Sequence, residues 1–396
     1  MPDRSADPTP IYLDHAATTP VRPEVVEEML PYFTRYFGNA SCTYELGKAS
    51  HEAMDTARER VAQVLGCKPR EVVFTSGGTE ADNLAIVGSA RALAAKGRHI
   101  ITSAVEHHAV LHTAKALSAD GWRVTVLPVD AFGRVSPADV EEAITEDTVL
   151  ITVMHGNNEV GTVQPIAEIG AIARSRGVLF HTDAVQSFGH MPTRVKDLNV
   201  DMLSLSGHKC YGPKGVGALY VKKGARLQPI QHGGKQERGL RPSTENVAGI
   251  VGLGKAAELA GAELAEELPR LTGLRDRLIE KLLALPDVRL NGHRTERLPN
   301  NVNVSAAGVE GEALNLRMGM HGIGTSTGSA CTTGSPTPSH VLTAMGVEEP
   351  WLSGNLRMTL GRDTTEADID TCAKVYGEIL ADLRRTSPTY QPTSCP

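Results

Sequence analysis

The stretch "LSLSGHKCYGPKG" (203–215) runs from alternating apolar residues into a histidine, a lysine and three glycines. A lysine at the end of an apolar strand, flanked by small turn-forming residues, is neither mobile nor fully solvated. Confinement in partly apolar surroundings lowers an amine's pKa and makes it a nucleophile toward carbonyls. The neighbours of Lys209 therefore decide both the fold and the chemistry.

Working outward, short runs rich in Val, Ile and Leu recur along the chain. They are "EVVFT" (71–75), "HIITS" (99–103), "RVTVL" (123–127), "VLITV" (149–153), "VLFHT" (178–182), "DMLSL" (201–205) and "VGALYV" (216–221). Helical patterns separate most of them, which predicts an α/β fold with a mostly parallel sheet covered on both faces. Beyond Gly254 the texture changes: Leu264, Leu268, Leu271, Leu274, Leu278 and Leu282 recur at steps of three and four. That stripe predicts a long amphipathic helix, broken near Pro269, that begins or links to a second domain. The polar, Pro-rich end "TSPTYQPTSCP" is expected to be disordered.

Composition excludes several classes of function. A chain of 396 residues with 41% hydrophobic content can bury one large domain and a smaller one. Net charge is −6 and no Lys/Arg-rich run stands out, which disfavours nucleic acid or an anionic membrane as partner. The opening "MPDRSADPTP" lacks an apolar core, and no run is long enough to cross a bilayer, so a cytoplasmic location is expected. Six scattered cysteines (Cys42, Cys67, Cys210, Cys331, Cys372, Cys395) show no CxxC spacing, against a disulfide framework or a thiolate metal cluster.

Polar clusters follow the strands at one type of position. Ser76 to Thr79 follow the first, Glu106 and His107 the second, His155 to Asn158 the fourth, Asp183 and Gln186 the fifth, and Ser206 to Lys209 the sixth. In an open α/β sheet, ligands bind in the crevice outside the carboxyl ends of the strands. Any one cluster is as readily an ordinary loop; five converge on one site.

Each cluster suits part of one ligand. "VVFTSGGTEADNLAI" reads as strand, glycine turn and helix start, whose backbone N–H groups, at Gly78 and Thr79, would face a phosphate. It lacks the GK[ST] ending of a nucleotide loop. Asp183 ends a buried strand, where a carboxylate needs a cationic partner such as a protonated ring nitrogen. With Lys209 as Schiff-base lysine, these parts describe pyridoxal 5'-phosphate. His107 would stack on the ring, Gln186 and Asn158 would hydrogen-bond near its phenolic oxygen, and Ser206 and His208 would reach the phosphate.

The segments "YLDHAATTP" (12–20), "FTSGGTEADNLAI" (74–86), "EHHAV" (106–110), "MHGNNEVGTVQPI" (154–166), "HTDAVQS" (181–187), "SGHKCYGPKG" (206–215) and "STGSACTTGSPTPSHVLTAMG" (326–346) resemble the cysteine desulfurases of the NifS/IscS type. The resemblance spans residues 11 to 365 and keeps the motif order. It implies a fold-type I pyridoxal-phosphate enzyme and a homodimer. The expected large cofactor domain is 19–260, and the small α+β domain joins 1–18 to 261–396. It maps Cys331, on a loop of about 325–338, onto the family's persulfide-forming cysteine, which takes sulfur from L-cysteine and leaves L-alanine. Lys209 and His107 are the implied proton carriers, Arg357 in "NLRMTLGR" the partner of the substrate carboxylate with Asn39 and Asn158 beside it, and Thr244 a contact to the phosphate bound by the other subunit. Sulfur would go to an acceptor protein such as an iron-sulfur scaffold or a thiolation carrier.

Two departures stand out. "NASCTYELG" carries Tyr44 where the family usually has histidine, and "GLRPSTENVAG" carries Pro242 and Ser243 where relatives tend to have a small residue and glycine. A selenocysteine lyase would use nearly the same residues, and a class V aminotransferase would share the fold without needing Cys331. A non-catalytic paralogue would be expected to have lost Lys209 or Cys331, and both are present.

Overall fold

Strands dense in Val, Ile and Leu bury both faces only when helices cover both, and six of the seven runs do so, the run 123–127 at the sheet edge staying partly exposed. The computed structural model describes residues 10–328, 338–387 and 390. In chain order the strands are β1 (Ile11–Tyr12), β2 (Val72–Thr75), β3 (His99–Ser103), β4 (Arg123–Leu127), β5 (Thr148–Thr152), β6 (Leu179–Asp183), β7 (Met202–Ser206), β8 (Gly217–Val221), β9 (Val288–Leu290), β10 (Asn301–Ala306), β11 (Ile323–Gly324) and β12 (Asn355–Thr359). Seven form one sheet in the order β2-β8-β7-β6-β5-β3-β4. β4, β3, β5, β6 and β7 run parallel, and β8 is antiparallel to both its neighbours. Every residue of β3, β5 and β7 is buried.

β12-β10-β9 form a separate antiparallel sheet, and β1 pairs with β11 in parallel. A second apolar core gathers around these strands, with Leu314, Leu356, Met358, Ile369, Tyr376 and Leu380 in it. The helix Glu366–Thr386 contributes its buried face at helical spacing. It starts in a reciprocal cap, Thr365 Oγ1 accepting from the Asp368 amide and Asp368 Oδ2 from the Thr365 amide.

One helix, Val247–Leu283, belongs to both cores. Ile250, Leu253, Ala256 and Ala257 pack in the first, and Leu271, Leu274, Leu278, Ile279 and Leu282 in the second. The expected break at Pro269 does not occur. Proline removes one N–H and crowds the carbonyl four residues back. Both Pro269 and Ala265 are exposed on the span between the cores, where water can serve that carbonyl. At its first half the helix approaches the helix Glu45–Leu65 so closely that a Cβ on Gly254 would stand 2.5 Å from Ala57 Cα. Tyr390, in the segment expected to be disordered, is docked: its hydroxyl donates to Asp287 Oδ2 at 2.7 Å and its ring lies under Arg384.

Candidate active site

Because β2, β3, β5, β6 and β7 share one direction, the turns after them open on one sheet edge. A cavity of about 350 Å³ lies there, lined by Gly78, Thr79, His107, Asn158, Asp183, Gln186, Ser206, His208, Lys209 and Arg357. Ten of the sequence-predicted residues therefore meet at one place. Asn39 and Thr244 do not: both are exposed and neither lines the cavity, and Asn39 Oδ1 accepts from the Ser41 amide. Cys331 and Cys395 lie outside the described residues.

Lys209 closes a single helical turn, Gly207–Lys209, immediately after β7. Its Nζ donates to the carbonyls of Ala16 and Ala17, the latter at 2.8 Å. Gln186 Nε2 donates to the same Ala16 carbonyl at 3.0 Å, so the amino-terminal turn forms one wall of the cavity. Ala16 and Ala17 carry no functional side chain, and the sequence marked them only as part of the segment "YLDHAATTP" (12–20).

Asp183 ends β6 with 5% of its surface exposed, and its Oδ1 accepts from the Val185 amide at 2.9 Å. Burial raises its pKa to about 6, against the pull of that amide and of the Lys209 charge. Two more acids lie close by. Asp82 lines the cavity, and burial together with the Asp183 charge holds its pKa well above the usual range. Burial pushes Glu106 up to about 8, although Ser103 Oγ donates to its Oε1 at 2.5 Å and the Met154 amide at 3.0 Å.

His107 caps the helix His108–Ala119, its Nδ1 accepting from the Ala109 amide at 3.1 Å. That bond requires Nδ1 unprotonated, consistent with burial and the Lys209 charge lowering its pKa to about 4. His208 is likewise lowered to about 4, first by burial and then by Lys209. Neutral imidazoles leave the lysine and Arg357 as the cations facing the cavity.

These residues fit pyridoxal 5'-phosphate. The helix Gly78–Leu93 starts on Gly77 with no side-chain cap, so its first N–H groups are available to an anion. A Cβ on Gly78 would stand 2.6 Å from Val185 Cγ2, so only glycine fits that wall. Ser206 and His208 sit beside this helix end, while a buried carboxylate and a lysine amine line the remainder. Among the described residues no ion pair meets the buried Asp183, on which Lys209 acts only through its charge, and a protonated ring nitrogen would supply one. Among the described residues no cluster of His, Cys, Asp and Glu could hold a metal.

A mostly parallel α/β sheet with lysine, acid and uncapped helix end on its carboxyl edge defines a fold-type I pyridoxal-phosphate enzyme. The chain belongs to the Aminotransferase class-V family, which it matches over residues 11–372. It is 56% identical to a cysteine desulfurase IscS of Methanosarcina thermophila, over 96% of this chain and 94% of that one. Among solved structures, a NifS-like protein superposes with a TM-score of 0.89 at 39% identity, covering 94% of this chain and 100% of that one. SspA in complex with cysteine gives 0.79 at 41% identity, over 88% and 98%.

Proposed function

We infer that the protein is a pyridoxal-phosphate-dependent cysteine desulfurase that converts L-cysteine to L-alanine and a persulfide on Cys331. The observation that carries this reading is the juxtaposition of Lys209, Asp183 and Arg357 on one cavity in a chain half identical to cysteine desulfurases. A relative solved with cysteine bound supports the same substrate.

When bound, pyridoxal phosphate supplies an aldehyde carbon that takes amines and a ring that accepts electrons from the substrate's α-carbon. The chain's residues do the rest. Gly78, Thr79, Ser206 and His208 would hold the phosphate, and the Asp183 carboxylate would keep a proton on the ring nitrogen. Lys209 Nζ would take the α-proton of the amino acid and return it, and neutral His107 would face the ring. Asn158 and Gln186 would hydrogen-bond near the phenolic oxygen, while Arg357 would pair with the α-carboxylate, for which its planar fork is suited. The Cys331 thiolate attacks the substrate sulfur: the C–S bond breaks, an S–S bond forms, and the three-carbon fragment gains a proton to leave as alanine.

The large domain is taken as 19–260 and the small one as 1–18 with 261–396, supported by the two cores that the helix Val247–Leu283 joins. Exposed Leu30, Phe33 and Phe37 and the distance of Thr244 from this chain's own cavity support a homodimer whose Thr244 serves the partner's phosphate. An acceptor such as an iron-sulfur scaffold receives the sulfur, in the cytoplasm. Among the described residues Cys42, Cys67, Cys210 and Cys372 are free thiols, and no helix is long and apolar enough to cross a membrane.

The test is to incubate the purified protein with L-cysteine and a thiol reductant and to assay alanine and sulfide together. The wild type is expected to release them in equal amounts, and Cys331→Ala to lose turnover nearly completely. Full turnover in the variant would remove the persulfide role. A faster reaction on selenocysteine would make the protein a selenocysteine lyase.

A further inference from the structure

Arg357 is 3% exposed and lines the cavity, so its charge requires partners inside the protein. Its Nη2 donates to Asp14 Oδ1 at 2.9 Å and its Nη1 to the Asn158 carbonyl at 3.0 Å, while Nε is buried with no partner among the described residues. A carboxylate grips a guanidinium through two parallel N–H bonds, on either the Nε–Nη2 edge or the Nη1–Nη2 edge. Both edges contain Nη2, the nitrogen that Asp14 already holds.

We propose that Asp14 occupies the seat of the substrate carboxylate, so that an incoming amino acid must share or displace it, and Asp14 thereby sets how tightly the site holds its substrate. The inference rests on the reading of Arg357 as the carboxylate's partner. Asp14 is well placed for this role. Its carbonyl accepts from the Tyr12 hydroxyl at 3.0 Å and the Ala17 amide at 3.0 Å, and its backbone bridges to Thr359 two residues beyond Arg357 on β12. Two and three residues further on, the Ala16 and Ala17 carbonyls accept from Lys209 Nζ. One turn therefore holds the amine and the guanidinium that substrate and cofactor would otherwise engage. It spares the empty site an uncompensated buried charge and, by the same contact, weakens the site's hold on carboxylates.

Asp14→Asn keeps the size and the acceptor oxygen but removes the competing charge. With the cofactor-loaded protein, the dissociation constant of L-alanine is read from the cofactor absorbance, ethylamine serves as the carboxylate-free control, and KM and kcat are measured on L-cysteine. Removing one partly buried charge is expected to tighten alanine and lower KM about five- to tenfold, with ethylamine unchanged. Asp14→Ser, which loses charge and contact together, should also tighten alanine. Alanine binding that is unchanged or weaker in Asp14→Asn, at unaltered thermal midpoint and while Arg357→Lys still weakens alanine selectively, overturns the role of Asp14. If Arg357→Lys weakens alanine no more than ethylamine, Arg357 is not the carboxylate's partner and the proposal falls with that reading.

Discussion

Glu106 offers a direct measure of how the protein keeps acid buried behind its active site. The residue is 0% exposed, and burial lifts its pKa from 4.5 to about 8. A group whose folded-state pKa is raised stabilises the fold fully below its unfolded value, and that contribution is lost as pH rises through the folded value. Between pH 4.5 and 8 the native protein holds one proton more than the unfolded chain, so stability falls by about 1.4 kcal/mol per pH unit. Across three and a half pH units the loss sums to about 5 kcal/mol. Glu106→Gln imitates the neutral acid, since its Oε1 can accept the same bonds from Ser103 Oγ and the Met154 amide. Urea unfolding of the loaded wild type and variant from pH 5.5 to 8.5 isolates the term, because every other titrating group is common to both. The variant should gain on the wild type by about 3–4 kcal/mol over that range. Parallel pH dependences would show that Glu106 is ionised in the native state and would refute the reasoning.

Lys209→Ala should abolish turnover while leaving Asp183 and the phosphate contacts in place, so the cofactor binds but is stripped by gel filtration; cofactor retained through filtration would count against a covalent lysine. Glu237→Ala removes the bidentate carboxylate of the Arg58 guanidinium, which donates to Glu237 Oε1 at 2.7 Å and Oε2 at 2.8 Å in a buried setting, and leaves it the Val72 carbonyl and the more distant Asp55. The orphaned charge should lower stability by about 3–5 kcal/mol, and the pair change Arg58→Met with Glu237→Leu should recover most of it in a thermal melt.

What could be read from the sequence alone divides along physical lines. All seven strands of the main sheet lie within one residue of the apolar runs: two-sided burial writes itself as continuous Val, Ile and Leu in six, and the edge strand β4 keeps an alternating Val124 and Val126. Asp183, Lys209, His107 and Asn158 were legible as well, because reactive side chains placed after parallel strands must face one edge. Long-range backbone contacts were not. Ala16 and Ala17 hold Lys209 through carbonyls, a group every residue carries, and the Asp14–Arg357 pair joins strands from opposite ends of the chain. Pro269 misled because a local rule for helix interiors is relaxed where the helix crosses solvent between two cores.

The pairing of the first strand with the last third of the protein has a consequence for how the molecule is made. Ile11 and Tyr12 find their strand partners at Ile323 and Gly324, and the Asp14 backbone bridges to Thr359. A chain emerging from the ribosome has produced Asp183, Lys209 and the whole central sheet, and with them the partners of Ala16 to Arg22, while Ile11, Tyr12 and Asp14 still await theirs. The stretch that leads into that wall, Ile11 to Asp14, is fixed only once β11 and β12 exist. A chain that stops before β12 would thus carry most cofactor contacts yet lack Arg357 and the anchor of Asp14.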